Sequence, residues 1–472
     1  MPIKMSERKS QLPLTELTAI TPIDGRYREK VAGLAPLVSE LALIQARFEV
    51  EAKYLIFQSE ARMIRRLTLQ ERVKLSSFGQ ELTLAQASRV KMIETETRHD
   101  VKALERAFRE MLGQTSLANI IEMIHLGLTS EDINNLAYRL ILKRATEKVI
   151  VGQLSQLVDE LTDHAQEYKE LPMLARTHGQ AAVPTTLGKE FAVFASRLNR
   201  EIGKLKALKL TGKLTGAVGN FNALQLTYPG IDWVALSSKF VKSFGFVPNL
   251  ATTQINPYED MIEYFQTYQR INGILIDFDQ DMWRYISDDW FVQDVKKGEV
   301  GSSTMPQKVN PIDFENGEGN LAMANGIFET LCRKLATSRL QRDLSDSTTI
   351  RNIGTALAHS LLGYKGAQEG LSRIKPNEQQ ITADLNADWT ILTEAVQTIL
   401  RKEGVDDPYS LVASLARGEH LDGQKWQEWI DGLPISEKQK RTLRELTPAT
   451  YLGLAVKLTE RAIKEIKASR KT

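Results

Sequence analysis

Cysteine is almost missing from this chain, with one in 472 residues. A single thiol closes no internal disulfide, so a disulfide-stapled scaffold is excluded, and cysteine-rich zinc sites go with it. Histidine is scarce too: there are six, and no two stand at metal-ligand spacing such as H-E-x-x-H. Neither sign of charge prevails, since 61 Lys and Arg face 59 Asp and Glu for a net charge of +2. That balance argues against a chain built to hold nucleic-acid phosphates. No run approaches the ~18 apolar residues of a membrane span. MPIKMSERKSQLPL at the start lacks the apolar core and small-residue cleavage site of a signal peptide. The expectation is a cytoplasmic protein with neither membrane nor nucleic acid as partner.

Glycine and proline are missing from long stretches: 37–78, 80–112, 128–151, 274–297 and 377–403. Uninterrupted segments of that length suit helices, because strands average about 5–6 residues. Periodicity agrees. Ile150, Leu154, Leu157, Leu161 and Ala165 recur at steps of three and four, as do Phe191, Phe194, Leu198, Ile202 and Leu205, and Leu321, Ala324, Phe328, Leu331 and Leu335. The fold class expected is all-α, with irregular or hairpin structure at 171–185 and 214–230, where Gly, Pro and Asn collect. Apolar stripes on more than one side of such helices suggest a bundle that continues into other subunits. KPNEQQ at 375–380 reads as a boundary before a C-terminal helical part. The basic end, 457–472, reads as a solvated last helix turn and frayed terminus.

Four polar segments lie between these helical patterns, where catalytic groups are usually presented. In GSSTMPQKVNPIDFENGEGN, 301–320, Ser302 and Ser303 supply hydroxyls and Lys308 a positive charge. Asn310-Pro311 opens a helix whose N-terminus favours an anion. On composition alone it is equally an ordinary capped loop. In LARTHGQAAVPTTLGKE, 174–190, His178 sits in a polar turn before a helix beginning near Thr185; it can serve as a general acid or base, though a lone histidine more often does neither. HLGLTSEDINN, 125–135, reads as a helix cap at Thr129-Ser130 whose hydroxyls could equally hold a carboxylate. Arg98, His99 and Asp100 fall inside a helix-like pattern, 94–105, as three consecutive residues pointing different ways, and a solvated charged face explains them as well.

Other motifs fail on context. GEGNLA, 317–322, matches a dinucleotide-binding pattern but follows no strand. No phosphate-binding G-x-x-x-x-G-K-[ST] loop and no G-x-S-x-G nucleophile turn occurs. Cys332 falls on the apolar side of its helix and reads as packing.

GSSTMPQKVNP, 301–311, resembles the signature loop of the fumarase/aspartase superfamily, whose members eliminate fumarate from succinyl-containing substrates. Its extension IDFENGEGN, with TSEDINN, ARTHGQ, GAVGNFNA, TTQINP and QRDLSDSTTIRN, is similar to the adenylosuccinate lyase family in its longer bacterial form. The similarity runs in order from ELTAITPIDGRY, 16–27, to TPATYLG, 447–453. Gln307 stands where many members have histidine and where argininosuccinate lyases often have glutamine, but IDFEN and RDLSDST favour the former.

The resemblance implies a helical subunit in three parts, 1–118, 119–372 and 373–472. It also implies a homotetramer whose central bundles form a twenty-helix core, with active sites shared between subunits. The implied reactions convert adenylosuccinate to AMP and fumarate, and SAICAR to AICAR and fumarate, in purine nucleotide synthesis, with no metal and no cofactor. In this scheme Ser302 is the general base and His178 the general acid. Lys308, Asn310, Thr129 and Ser130 take the charge of the aci-carboxylate intermediate. His99 orients the phosphate or supports His178. Arg26, Tyr27, Arg342, Ser347 and Arg351 grip ribose and phosphate, a guanidinium pairing bidentately with the latter. Gln254 contacts substrate, and Arg98, Asp100, Ser303, Val309, Asn316 and Thr348 complete the binding set. Argininosuccinate lyase, fumarase and an inactive helical scaffold are the competing readings.

Overall fold

The computed structural model describes residues 13–295, 298, 301, 304–416 and 420–470. Helices dominate it, among them Glu40–Glu60, Leu187–Ala207, Glu259–Ser287, Ile312–Leu335 and Ile353–Ser372. Among the described residues the few strands pair two by two. The all-α expectation is met, and all three apolar stripes are buried along their whole length.

Three of the stretches free of glycine and proline are not single helices, and their breaks come from capping side chains. Within 37–78, Ser39 caps Glu40–Glu60 and Thr68 caps Leu69–Ser77 through a reciprocal bond pair with Glu71. Within 80–112, Thr83 opens Leu84–Thr97, Arg98 ends it in the left-handed region (φ 50°), and His99 caps Asp100–Gly113. Arg98, His99 and Asp100 therefore form a corner between two helices rather than a charged helix face. The stretch 274–297 leaves its helix at Ser287 and enters the strand Phe291–Gln293. The stretch 377–403 divides at Asp388, which caps a short turn by accepting from the Thr390 N–H at 3.0 Å.

Of the two irregular segments, 171–185 is an antiparallel hairpin, β1 (Pro172–Thr177) and β2 (Gln180–Thr186), and its helix opens at Leu187. The second, 214–230, holds the short helix Asn222–Thr227. The end differs from expectation: Ala455–Ser469 is a full helix whose Ala455, Thr459, Ile463 and Ile466 are buried. GEGNLA lies within the helix Ile312–Leu335, with no strand leading into it.

The chain divides into two compact units. The first comprises Met1–Gln153, Gly203–Gly273 and Gly319–Gly363; the second comprises Leu154–Ile202, Ile274–Glu318 and Tyr364–Thr472. In the first, Phe48, Leu55, Leu75, Val90, Leu104, Phe108 and Leu112 belong to one apolar core, with the Phe48 and Phe108 rings edge to face at 5.4 Å. Residues 28–60 contain a window apolar enough to cross a membrane by composition. That stretch breaks at Ser39, however, and buries Arg47 and Glu51 beside its apolar side chains, as a core element does. In the second unit Leu392, Val396, Leu400, Trp426, Ile430 and Leu443 build another core. There the Trp426 indole N–H donates to the Leu443 carbonyl at 3.0 Å, so its one polar group is satisfied.

Candidate active site

Four motifs far apart in sequence converge in the first unit around one buried carboxylate, Asp132. Thr129 opens the helix Ser130–Ala145, and its N–H donates to Asp132 Oδ2 at 2.9 Å. Asp132 Oδ1 accepts from the N–H groups of Thr215 and Gly216 at 2.9 and 3.3 Å and lies 3.2 Å from Lys213 Nζ. Carboxylate and ammonium are both wholly buried. Extra bonds let such a pair persist, here to the backbone amides and, from Lys213 Nζ, to the Gly216 carbonyl at 3.0 Å. These contacts join TSEDINN to the GAVGNFNA loop. That loop meets TTQINP through the Thr215 and Thr252 hydroxyls at 2.8 Å and through Gln254 Nε2, which donates to the Ala217 carbonyl at 3.1 Å. Thr253 Oγ1 donates to the Gln341 carbonyl at 3.0 Å, bringing in QRDLSDSTTIRN.

Arg342, from that last motif, lies 3.0 Å from Glu131 Oε1 and 3.9 Å from Asp346 Oδ1. Burial pushes the Glu131 carboxyl up, against the pull of the Arg342 charge. Asp346 also accepts from the Tyr258 hydroxyl at 3.1 Å and, at Oδ1, from the Ser347 N–H at 2.6 Å. Ser347 is half-buried beside it, while Thr348 is exposed. Ser130 is the first residue of its helix and half-buried.

The Arg98-His99-Asp100 corner completes this unit's constellation. His99 Nδ1 accepts from the Lys102 N–H at 3.2 Å, which turns its Nε2 away from the helix as a donor for a ligand. Asp100 Oδ2 accepts from Arg47 Nη2 at 2.7 Å and Arg351 Nη2 at 2.9 Å, and Oδ1 accepts from the Val101 N–H at 2.8 Å. Burial alone would raise this carboxyl; the Arg47 and Arg351 charges and the backbone bond overcome that and hold it at about 2. Arg26 is exposed and Tyr27 half-buried at the start of the short helix Arg28–Val31.

His178 belongs to the second unit. It forms the tip of the β1–β2 hairpin with Gly179, and Thr177 pairs directly with Gln180. Both tip residues have positive φ, 53° and 74°, as a two-residue type I′ turn requires. The imidazole is thereby presented to solvent. Arg176, two residues before it, stacks over the Trp290 ring at 5.4 Å.

The signature loop lies in the same unit. Ser302 and Ser303 fall outside the described residues. Asn310 Nδ2 donates to the Gly301 carbonyl at 2.7 Å, and Gln293 Nε2 donates to the Val309 carbonyl at 3.1 Å. A side chain at Gly301 would meet the Lys308 carbonyl oxygen at 1.9 Å, so only glycine lets the two loop arms approach this closely. Lys308 and Asn316 are exposed, the latter on the first turns of the helix Ile312–Leu335. Among the described residues no cluster of His, Cys, Asp and Glu could hold a metal ion.

Sequence reasoning placed Asp132 only as an acidic first-turn residue of its helix, and gave no role to Lys213, Arg47 or the pair His125–Glu51, in which His125 Nδ1 lies 2.5 Å from Glu51 Oε1. His125 heads a segment already singled out and could have been found there. Lys213 carries no sequence signal, since nothing in its neighbourhood foretells a buried lysine.

This helical fold, with polar motifs at helix starts and loop tips, is shared by solved structures. In keeping with this, a fumarate lyase from Mesorhizobium sp. BNC1 superposes with a TM-score of 0.75 at 16% identity, covering 92% of this chain and 97% of that one. A 3-carboxy-cis,cis-muconate lactonizing enzyme from Pseudomonas putida gives 0.73 at 20% identity, covering 94% and 99%. The lyase family model matches residues 38–326, and the model for the adenylosuccinate lyase C-terminal region matches 338–452. Adenylosuccinate lyase of Haemophilus influenzae is 43% identical over 95% of this chain and 100% of its own, and that of Dictyostelium discoideum is 44% identical over 94% and 98%. The chain belongs to the adenylosuccinate lyase family and is a carbon–nitrogen lyase.

Proposed function

We propose that this enzyme eliminates fumarate from adenylosuccinate, giving AMP, and from SAICAR, giving AICAR. Ser302 takes the Cβ proton of the succinyl group, and the resulting carbanion is held as an aci-carboxylate by Lys308, Asn310, Thr129 and Ser130. The Cβ electron pair then forms the fumarate double bond as the C–N bond breaks. His178 protonates the departing nitrogen. Arg26, Tyr27, Arg342, Ser347 and Arg351 hold ribose and phosphate, with His99 beside them. Arg98, Asp100, Gln254, Ser303, Val309, Asn316 and Thr348 complete the binding surface.

The observation that carries this reading is the convergence on Asp132 and Glu131 and the loop bound to them, which draws Thr129, Gln254 and Arg342 from separate motifs into one region. Two further features support it: the imidazole raised on a stiff turn and the Gly301–Asn310 closure of the signature loop. The resemblance adds the three-part subunit and a homotetramer with shared sites, and the cytoplasmic location follows from the reading of the N-terminal sequence.

Loss of adenylosuccinate absorbance on mixing with purified enzyme tests the activity. Turnover of argininosuccinate or malate in its place would overturn the assignment. Ser302→Ala and His178→Ala should each be nearly inactive yet still assemble, and mixing the two after subunit exchange should restore part of the activity. No recovery after proven exchange would refute the sharing of sites.

A further inference from the structure

Arg351 is bound at two points by carboxylates from different helices. Its Nη2 donates to Asp100 at 2.9 Å, and its Nη1 donates to Glu40 Oε2 at 3.2 Å. Both anchors open their helices: Glu40 is the first residue of Glu40–Glu60, capped by Ser39, and Asp100 the first of Asp100–Gly113. A helix start stabilises a carboxylate there. Lys91 Nζ sits 3.1 Å from the other Glu40 oxygen and 2.5 Å from Glu94, so the charge of Glu40 is balanced on the side away from Arg351.

Arg351 and Glu40 are each more than a third exposed, with side-chain exposures of 37% and 41%. Ion pairs that open to water add little to stability. What two-point attachment does supply is orientation: it removes rotamer freedom from a long side chain before a ligand arrives, which otherwise is lost on binding.

We propose that Glu40, charge-balanced by Lys91, is a positioning residue that fixes the Arg351 guanidinium so that its remaining N–H donors are ready for a phosphate-bearing nucleotide. The proposal rests on Arg351 gripping phosphate, as argued under the proposed function. Glu40 acts through Arg351 and touches no reacting atom.

The test uses the full-length enzyme, with AMP affinity measured by calorimetry and turnover followed with adenylosuccinate. Glu40→Ala should weaken AMP binding and raise KM about three- to five-fold, the range of a partly exposed charge-assisted bond, with kcat held within about two-fold. Glu40→Gln keeps an acceptor oxygen and should recover part of the loss. In an Arg351→Ala background, Glu40→Ala should change nothing further. Unchanged or tighter AMP binding in Glu40→Ala would overturn the proposal, since removing a negative charge without loss of orientation favours phosphate. So would a loss that persists in the Arg351→Ala background, or one that tracks a fall in the unfolding midpoint. If the unaltered enzyme neither binds AMP nor turns over adenylosuccinate, the proposed function fails as well; if it does both, the result bears on Glu40 alone.

Discussion

Arg139 grips Asp260 through two parallel bonds, Nε to Oδ2 at 2.8 Å and Nη2 to Oδ1 at 2.7 Å, with both side chains buried. The same carboxylate accepts from the Thr211 N–H at 2.7 Å and hydroxyl at 2.9 Å, so it ties the helix Ser130–Ala145 to the strand at Thr211. Arg139→Met leaves that carboxylate buried without its cation. Loss of one partner from such a pair costs about 3–5 kcal/mol, and urea unfolding should register a drop of that order. An unchanged midpoint would mean that Asp260 finds another partner.

His125 and Glu51 predict a pH effect of definite sign. Burial lowers the imidazole, but the Glu51 charge beside it wins and leaves its pKa above the usual 6.5. A group raised in the folded state contributes stability that is full below its unfolded pKa and lost as pH rises through its folded one. Stability should therefore decline above about pH 6.5 by a component that Glu51→Gln removes. The unfolding midpoint followed from pH 6 to 9 in both proteins measures it, and parallel curves would contradict the pairing.

Gly301→Ala should separate loop geometry from overall stability. Its new Cβ would lie 1.9 Å from the Lys308 carbonyl oxygen, so the two arms of the signature loop must part. Turnover should fall by at least about ten-fold, the effect of even small misplacement of catalytic groups, while the thermal midpoint stays near that of the parent. Wild-type kinetics from this variant would show that the loop tolerates the separation.

Cys332 should resist alkylation. Burial pushes its thiol up to about 11. Thiolate, the reactive form, is then scarce at pH 8. Iodoacetamide should label the folded protein far more slowly than the unfolded one; comparable rates would place the thiol in open solvent.

Helical stripes were legible in the sequence because a 3.6-residue repeat of apolar side chains has one simple solution. Helix ends were not. Ser39, Thr68, Thr83, His99 and Asp388 break helices by offering side-chain acceptors to backbone N–H groups. A search for glycine and proline passes over them. The same blindness turned Arg98-His99-Asp100 into a charged face, although His99 as a cap is what aims its ring and Asp100 at the helix start is what binds two arginines.

The candidate site divides along similar lines. Its exposed members stand in polar motifs and could be read directly or through the family resemblance. Its supports could not: Lys213, Asp132 and Arg47 are charged residues that burial makes structural, and burial depends on contacts from distant parts of the chain. Asp132 shows this most clearly: its place in the first turn is local, but its partners Thr215 and Gly216 lie more than 80 positions away.

The β1–β2 turn puts conformational ease and chemistry in opposition. Position 178 asks for a left-handed backbone, which asparagine and glycine adopt more readily than other residues. Histidine there is a locally disfavoured choice. A laboratory selection for heat resistance alone, blind to turnover, would drift this position toward asparagine or glycine and yield sturdier hairpins without their imidazole. Thermostabilised descendants of this enzyme should therefore be chosen with activity kept in the screen, because the turn by itself carries no memory of what it presents.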